Sequence, residues 1–457
     1  MRVHFHTFGC KANQYDTERM RQELEARGAV PVEGWHDAEL VVVNTCTVTN
    51  EADAQARRVL RRIQRESPGL PVVVAGCSAA LRPGDYAGME GVRGVVGGHD
   101  PLEVARSALA AVRRPGDPGA HDEGGAPRLV QVEDRRSLDR LDTEPVGGEL
   151  LRRRSAGTRG WLKVQDGCDR KCAFCATRLA RGASRSRPEA EVVSEARLLA
   201  LHHPELVLTG VHIGHYGRDL GESSSLSSLV ARLLEAVPAV RFRLGSIEAT
   251  EVDDLLLDLM GNSGGRLVPH LHMPLQSGAD PILRRMRRWH TREQYRRRAL
   301  EIADRHPVLG LGADVITGFP GETHQDHADT LALVQELPFT YLHVFPFSPR
   351  DDTVAAELNR STPVPQRVAG ERARELRLLA QVKGEAYRGA RAGQEATVVL
   401  ESGDQALTED YLRVRLRGPR PDDSRRLHGG VLRATDEGLY IALAGAQRHD
   451  LEPTLHA

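Results

Sequence analysis

The six cysteines of this 457-residue chain fall into two groups of three. Cys168, Cys172 and Cys175 lie within the run Cys168-Asp-Arg-Lys-Cys172-Ala-Phe-Cys175. Three thiolates at this spacing suit three irons of a 4Fe–4S cluster and leave the fourth iron without a protein ligand. Such an open iron separates a reactive cluster from an electron carrier. S-adenosylmethionine (SAM) can chelate it through its amino and carboxylate groups and be cleaved there. The alternative is zinc, which usually takes four protein ligands, and no histidine lies within the loop to complete the set. Phe174, beside the last cysteine, can pack on the adenine of SAM or simply fill the loop.

Cys10, Cys46 and Cys77 look isolated, yet each follows a strand-like run: HFHTFGC, LVVVNTC and PVVVAGC. The carboxyl ends of parallel strands in an open α/β sheet converge on one crevice, so these three thiols are expected to meet. Buried free thiols are the bland alternative, since cysteine is commonly buried. A second three-cysteine cluster would use all six cysteines, and it is the favoured expectation for Cys10, Cys46 and Cys77. Polar and glycine residues gather at further strand ends: Thr209 and Gly210, Ser246 and Glu248, Gln276, and Asp314. In a barrel that end is the catalytic face. Backbone groups of Thr209 and Gly210 could take the SAM amine, and Glu248 its ammonium or ribose hydroxyls. Ser246, Gln276 and Asp314 are expected SAM or substrate contacts. Each is also an ordinary turn residue when taken alone.

The elements that must position these groups alternate strand and helix, the pattern of a parallel sheet covered by helices. In the first part the strands are Val3–Phe8, Leu40–Thr45, Pro71–Ala75 and Val92–Val96. The helices between and after them are Tyr15–Arg27, Ala52–Arg65 and Pro101–Val112. Residues 115–150 turn Gly-, Pro- and charge-rich and read as a linker, with one short strand near Leu129–Val132. Six further strands follow: Trp161–Gln165, Glu205–Leu208, Arg241–Gly245, Val268–His272, Leu311–Ile316 and Tyr341–Phe345. They predict a partial (β/α)6 barrel. After a polar helix, Pro365–Tyr387, period-two runs at Ala396–Leu400, Tyr411–Leu416 and Leu439–Leu443 predict a small β-barrel. The expected division is 1–114, 115–150, 151–387 and 388–457, and the fold class is α/β with a small β domain at the end.

Aromatic residues are only 4%, so aliphatic side chains must do most of the packing. A net charge of −1 excludes a global positive field, and any nucleic-acid site must be a local patch. Basic patches occur at Arg152–Arg154, Arg178–Arg187, Arg284–Arg298 and Arg413–Arg426. They can grip phosphates, with Trp289 or Tyr411 stacking on a base, or be solvated faces. No run approaches the roughly 20 apolar residues of a membrane helix, so no membrane partner is expected. A soluble, cytoplasmic protein with reduced thiols is the default.

With these residues in hand, the chain resembles the methylthiotransferases of the radical SAM superfamily over nearly its whole length. The matching motifs are TFGCKANQYDTE, VVVNTCTVT, VVAGC, VQDGCDRKCAFC, ARGASRSR, LTGVHIGHYG, HLHMPLQSG, ADVITGFPGET and LTEDYLRVRL. The resemblance implies three parts: an N-terminal α/β domain with three cluster cysteines, a central radical SAM domain, and a C-terminal TRAM-like domain that binds RNA. GCKANQYDTE and ARGASRSR resemble the branch acting on threonylcarbamoyladenosine of tRNA; the isopentenyl-adenosine branch typically opens with a GCQMN-like motif. The reaction so implied adds a methylthio group to C2 of N6-threonylcarbamoyladenosine at position 37, beside the anticodon. It would use two 4Fe–4S clusters and two SAM molecules, one methylating sulfur on the Cys10/Cys46/Cys77 cluster and one cleaved at the Cys168/Cys172/Cys175 cluster. The implied partners are the tRNA anticodon loop, an electron donor such as flavodoxin or ferredoxin, and a sulfur source. Isopentenyl-adenosine or a ribosomal-protein aspartate is the alternative target. A non-catalytic iron–sulfur or zinc RNA-binding protein is the alternative of another class. The chain departs from the family pattern at Arg178 and Ala249, where proline is usual, and in SPRDDTVAA.

Overall fold

The computed structural model describes residues 1–47, 50–112, 128–130, 149–155, 157–423, 425–436 and 438–443. Most of the expected linker, and the end of the tail beyond Leu443, lie outside these residues.

Strands β1 (Arg2–Thr7), β2 (Val30–Val32), β3 (Leu40–Thr45), β4 (Val72–Gly76), β5 (Val92–Val96) and β6 (Arg128–Val130) form one sheet in the order β2-β1-β3-β4-β5-β6. Every pairing in it is parallel. Its centre is β3 and β4, whose LVVVNT and VVVAG are buried throughout, as strands covered on both faces must be. Met20, Leu24 and Val104 pack on one face, and Leu60 and Ile63 on the other. The sequence pattern did not mark β2, because its Pro31 argues against a strand; an edge position tolerates it. β6 overlaps the short strand expected at Leu129–Val132 and extends the sheet at its other edge.

After β7 (Gly160–Lys163), the short antiparallel pair β8 (Gln165–Asp166) and β9 (Arg185–Ser186) brackets the Cys168 loop. The parallel series continues with β10 (Glu205–Thr209), β11 (Arg241–Leu244), β12 (His270–His272), β13 (Gly310–Thr317) and β14 (Tyr341–Pro346). The order is β7-β10-β11 and β12-β13-β14, joined by parallel bridges between Phe242 and Leu267 and between Ser246 and His272. This is the expected six-stranded partial barrel. One face is apolar and packed under helices, through Leu162, Leu206, Leu208, Phe242, Leu271 and Leu311. By the period-two alternation of a strand, the other face carries Lys163, Glu205, Arg243, His272, Asp314 and His343 into the lumen.

The N-terminal domain spans the open side of this barrel. Next to β7, Lys163 donates to Asp16 at 2.7 Å and Tyr15 donates to Glu195 at 3.1 Å. Beyond β14, Arg350 meets Asp53 at 2.7 Å and Asn50 donates to the Pro349 carbonyl at 2.8 Å. Both edge strands are thereby tied to one domain.

The long helix Gln366–Arg391 leads into β15 (Glu395–Leu400), β16 (Gln405–Thr408), β17 (Arg413–Arg417), β18 (His428–Thr435) and β19 (Gly438–Leu443). They close into a barrel in the order β15-β16-β17-β19-β18, as a TRAM-like domain requires. The sequence pattern missed β16 and β18. The glycines of HGGVLRAT read as a turn, but Gly430 permits close strand approach: a Cβ there would lie 2.3 Å from the Ala442 carbonyl oxygen. Tyr411, expected to open a strand, instead sits in a tight turn with φ 69°. Buried Glu205 accepts from Arg241 at 2.6 Å and from Arg243 at 2.9 Å. The same guanidinium groups donate to tail carbonyls of Thr397, Leu407, Thr408 and Glu409, which docks the tail barrel on the central one.

Candidate functional site

Each N-terminal cysteine is delivered by the end of a parallel strand. Cys10 follows β1 and caps the helix Lys11–Glu25, Cys46 follows β3, and Cys77 begins the helix Cys77–Leu81 directly after β4. Gly9 makes the approach possible, since a Cβ there would come within 2.7 Å of the Cys46 Sγ. The three thiols are close enough to act on each other's charge. Burial pushes the Cys77 thiol up to about 12 against the pull of Arg181, which favours the neutral thiol. A bound cation reverses that preference and deprotonates such a thiol outright. Three converging thiols without a fourth cysteine fit a three-cysteine iron–sulfur site.

Cys168, Cys172 and Cys175 occupy the loop between β8 and the short helix Thr177–Arg181. The Cys175 thiol donates to the Thr177 hydroxyl at 3.0 Å, and its Sγ accepts from the Thr177 backbone N–H at 3.4 Å. Arg288 lies 3.7 Å from the Cys172 Sγ, and His212 Nδ1 lies 3.5 Å from that of Cys168. Burial pushes Cys168 up to about 12 and raises Cys172. Gly167, with φ 70°, shapes the approach, because a Cβ there would lie 1.7 Å from the Ala183 carbonyl oxygen. His212 and His215 stack at 3.8 Å and both meet Glu251. Burial opposes charge on Glu251, but hydrogen bonds from the two imidazoles outweigh it and hold the carboxyl well below its usual range.

The helix Thr177–Arg181 links the two groups. Its first residue touches Cys175 and its last reaches Cys77, with Arg181 Nε 3.3 Å from that thiol. From Thr177 to Arg181 the axial rise is about 6 Å. The rest of the Arg181 guanidinium donates to Asp166 at 2.9 Å, Asn13 at 3.0 Å and Asp16 at 2.8 Å. Lys163 donates to the same two aspartates, at 2.7 Å to Asp16 and 2.6 Å to Asp166. His99 contacts Cys77 at 3.3 Å, and burial with the nearby Arg181 charge pushes it down to about 3, so it is neutral.

The expected SAM contacts end around the mouth of the central barrel. Thr209 and Gly210 close β10, but the Thr209 carbonyl already accepts from Val164 N–H at 2.9 Å. A Cβ on Gly210 would lie 2.8 Å from the Gln165 carbonyl oxygen. Ser246 is exposed and bridges to His272. Glu248 is buried and paired with Arg288, and burial raises its pKa against that cation. Gln276 takes a left-handed φ of 68° and pairs along β13 with Val315. Asp314 accepts from His272 at 3.0 Å and His343 at 3.2 Å. Phe174 packs on the cluster of Ala279, Ile282, Met286 and Phe319.

Two readings of basic residues change. In ARGASRSR, expected to grip phosphates or to be solvated, Arg181 and Arg187 are buried, and Arg187 pairs with Glu195 at 3.0 Å. Trp289 is not a free platform: the guanidinium groups of Arg170 and Arg288 lie 3.9 and 4.2 Å from its ring. The tail does carry a basic face. Arg413, Arg415 and Arg417 alternate outward along β17, and Arg415 and Arg433 flank Tyr440 on the paired strands. Sequence reasoning gave no role to Asp16, His99, Lys163 or Glu251 and placed Arg288 only within a basic patch; the tertiary fold brings the first three to the Arg181–Cys77 side and the other two to the Cys168–Cys172 side.

Residues 2–97 match the family model described as Uncharacterized protein family UPF0004, and residues 162–334 match the Radical SAM superfamily. Curated relatives named Threonylcarbamoyladenosine tRNA methylthiotransferase MtaB cover most of the chain. The Rickettsia prowazekii protein is 33% identical over 90% of this chain and 90% of its own. The Bacillus subtilis protein is 33% identical over 96% of both, and the Aquifex aeolicus protein 32% identical over 92% of this chain and 97% of its own. Among solved structures, the radical SAM methyltransferase TsrM from Kitasatospora setae, with cobalamin and a 4Fe-4S cluster bound, is similar in fold. Its TM-score is 0.54 at 17% identity, covering 79% of this chain and 78% of that one.

Proposed function

The chain belongs to the radical SAM methylthiotransferase family, and from that premise we propose that it attaches a methylthio group to C2 of N6-threonylcarbamoyladenosine at position 37 of tRNA. The coarser activity follows from the family: it is a radical SAM enzyme of tRNA methylthiolation, with two 4Fe–4S clusters and SAM as cofactors. The observation that carries the mechanism is the pair of three-cysteine groups at the two ends of one short helix.

A cluster with one open iron supplies one-electron cleavage of SAM, which removes hydrogen from a C–H bond too strong for acid–base side chains. Cys168, Cys172 and Cys175 would hold the cluster that cleaves SAM. Cys10, Cys46 and Cys77 would hold the one that carries the sulfur, with a second SAM as methyl donor. Glu248 and Arg288 form a buried pair between Cys172 and the barrel mouth, which positions that thiolate. Ser246, Gln276 and Asp314 stand around the mouth for SAM or the base, and Thr209 and Gly210 form its β10 rim. The Arg413–Arg417 face of the tail, with Tyr440, has the spacing and charge to hold RNA phosphates. The anticodon loop is single-stranded, so its target base can be splayed into the lumen. An electron donor such as flavodoxin or ferredoxin and a separate sulfur source complete the cycle.

Mass spectrometry of tRNA nucleosides tests this in a strain lacking the gene and one with it restored. The methylthio form of threonylcarbamoyladenosine should vanish and return. A response of the isopentenyl-type nucleoside instead would keep the chemistry and change the substrate.

A further inference from the structure

One buried guanidinium reaches from the helix beside Cys175 to Cys77, and its charge is matched without the contact it makes to sulfur. Arg181 Nη1 donates to both oxygens of Asp166, at 2.9 and 3.0 Å, and Nη2 donates to Asp16 at 2.8 Å and to Asn13 at 3.0 Å. Lys163 donates to the same two aspartates. Two cations thus balance two carboxylates. The remaining donor, Nε, lies 3.3 Å from the Cys77 Sγ. A guanidinium is a planar fork, so fixing its two outer nitrogens fixes where Nε points. Arg181 is only 3% exposed and each of its nitrogens is engaged, which holds that direction.

Docking of the N-terminal domain on the barrel does not need the contact to sulfur. Lys163 and the outer nitrogens of Arg181 already bridge Asp16 of the first to Asp166 of the second. What the contact changes is the thiolate. A sulfur that ligates iron carries negative charge, and a cationic donor aimed at it favours the state with one more electron. Hydrogen bonds to the sulfurs are among the terms that set the potential of an iron–sulfur group. His99 Nε2 also stands 3.3 Å from the Cys77 Sγ, so two side-chain nitrogens approach this one thiol. At the other cysteine group the guanidinium is Arg288, 3.7 Å from the Cys172 Sγ and shared with Glu248. The two groups stand at the ends of the five-residue helix Thr177–Arg181, so the difference in potential between them decides where an electron rests.

We infer that Arg181 is a positioning residue for the cluster that Cys10, Cys46 and Cys77 would hold: through Nε it fixes the Cys77 sulfur and raises the reduction potential of that cluster and not of the other. This rests on the two-cluster reading of the chain.

The test is a redox titration of the cluster-loaded protein followed by electron paramagnetic resonance, with the N-terminal signal assigned from Cys172→Ala. Arg181→Lys keeps a cation for Asp16 and Asp166 and removes the planar fork that aims Nε. Its N-terminal midpoint should fall, while that of the Cys168/Cys172/Cys175 cluster stays. An unchanged N-terminal midpoint overturns the assignment. An equal fall in both midpoints does so too, because it marks a general change in packing. If Arg181→Lys does not retain iron, the native protein decides. Grown with isotope-labelled arginine, its reduced N-terminal cluster should show coupling to an arginine nitrogen in pulsed resonance, and the absence of that coupling overturns the assignment. Native protein without iron at Cys10, Cys46 and Cys77 would sink the two-cluster reading together with this one; a cluster there that ignores Arg181 would sink this one alone.

Discussion

Arg181 presents its donors to four different side chains, and each is taken: Cys77, Asn13, Asp16 and Asp166. The network is buried, so its two aspartates depend on Arg181 and Lys163 for their charge. Burial alone would raise Asp16 and Asp166, and the two cations override it, holding both below the usual carboxylate range. Removing one partner of such a set leaves uncompensated buried charge. Arg181→Ala should lower stability by about 3–5 kcal/mol in urea unfolding. It should also loosen iron at the Cys77 side, read as iron per chain. The two cysteine groups are independent in ligand supply, so Cys172→Ala should keep roughly half of the about eight irons of two 4Fe–4S clusters. Complete loss of iron would contradict two separate sites.

At the scale of elements, a strand end must become a helix start within one residue at Cys77. Gly76 makes this turn with φ 96°, and a Cβ there would fall 2.2 Å from Asn44 Oδ1 and 2.5 Å from the Thr45 carbonyl oxygen. Gly76→Ala therefore carries about 1–3 kcal/mol of backbone strain plus a backbone overlap. The expected outcome is a lower thermal midpoint and loss of the N-terminal iron, while the iron held by Cys168, Cys172 and Cys175 remains. Loss confined to the other cluster would show that β4 does not position the first.

At the scale of the whole molecule, Glu205 couples the central barrel to the tail. Burial disfavours its charge, but Arg243 and Arg241 override this and bring it down to about 2. Its folded pKa is depressed, so the native state binds fewer protons than the unfolded chain. Its contribution is full above the unfolded value near 4.3 and is lost as pH falls toward the folded one. The loss is about 3 kcal/mol across that window. Thermal unfolding of the cluster-free protein between pH 5 and 2 should show it, and Glu205→Gln should flatten that part of the profile. The outward arginines of β17 make a separate prediction. Replacing Arg413, Arg415 and Arg417 by Gln should weaken tRNA binding and reduce the slope of log K against log salt by about 2–3. Iron content should not change. An unchanged slope would move the RNA surface elsewhere.

The two cysteine groups were legible in the residues themselves. Ligand spacing within one loop is a local property, and strand ends in a parallel sheet must converge. The alternation of strand and helix was equally legible, because apolar period and length are local signals. Partners across the domain boundary were not. Nothing near Arg181 in the chain says that it will meet Asp16 and Cys77, and a basic run reads the same whether buried or solvated. Asp16 and Arg181 stand 165 residues apart, as do Arg243 and Thr408. Only the packing of the N-terminal domain and of the tail against the barrel brings each pair together. Local sequence thus determined which cysteines are delivered together, while the tertiary structure decided which charges are buried and paired, since that balance is a sum over every element packed there.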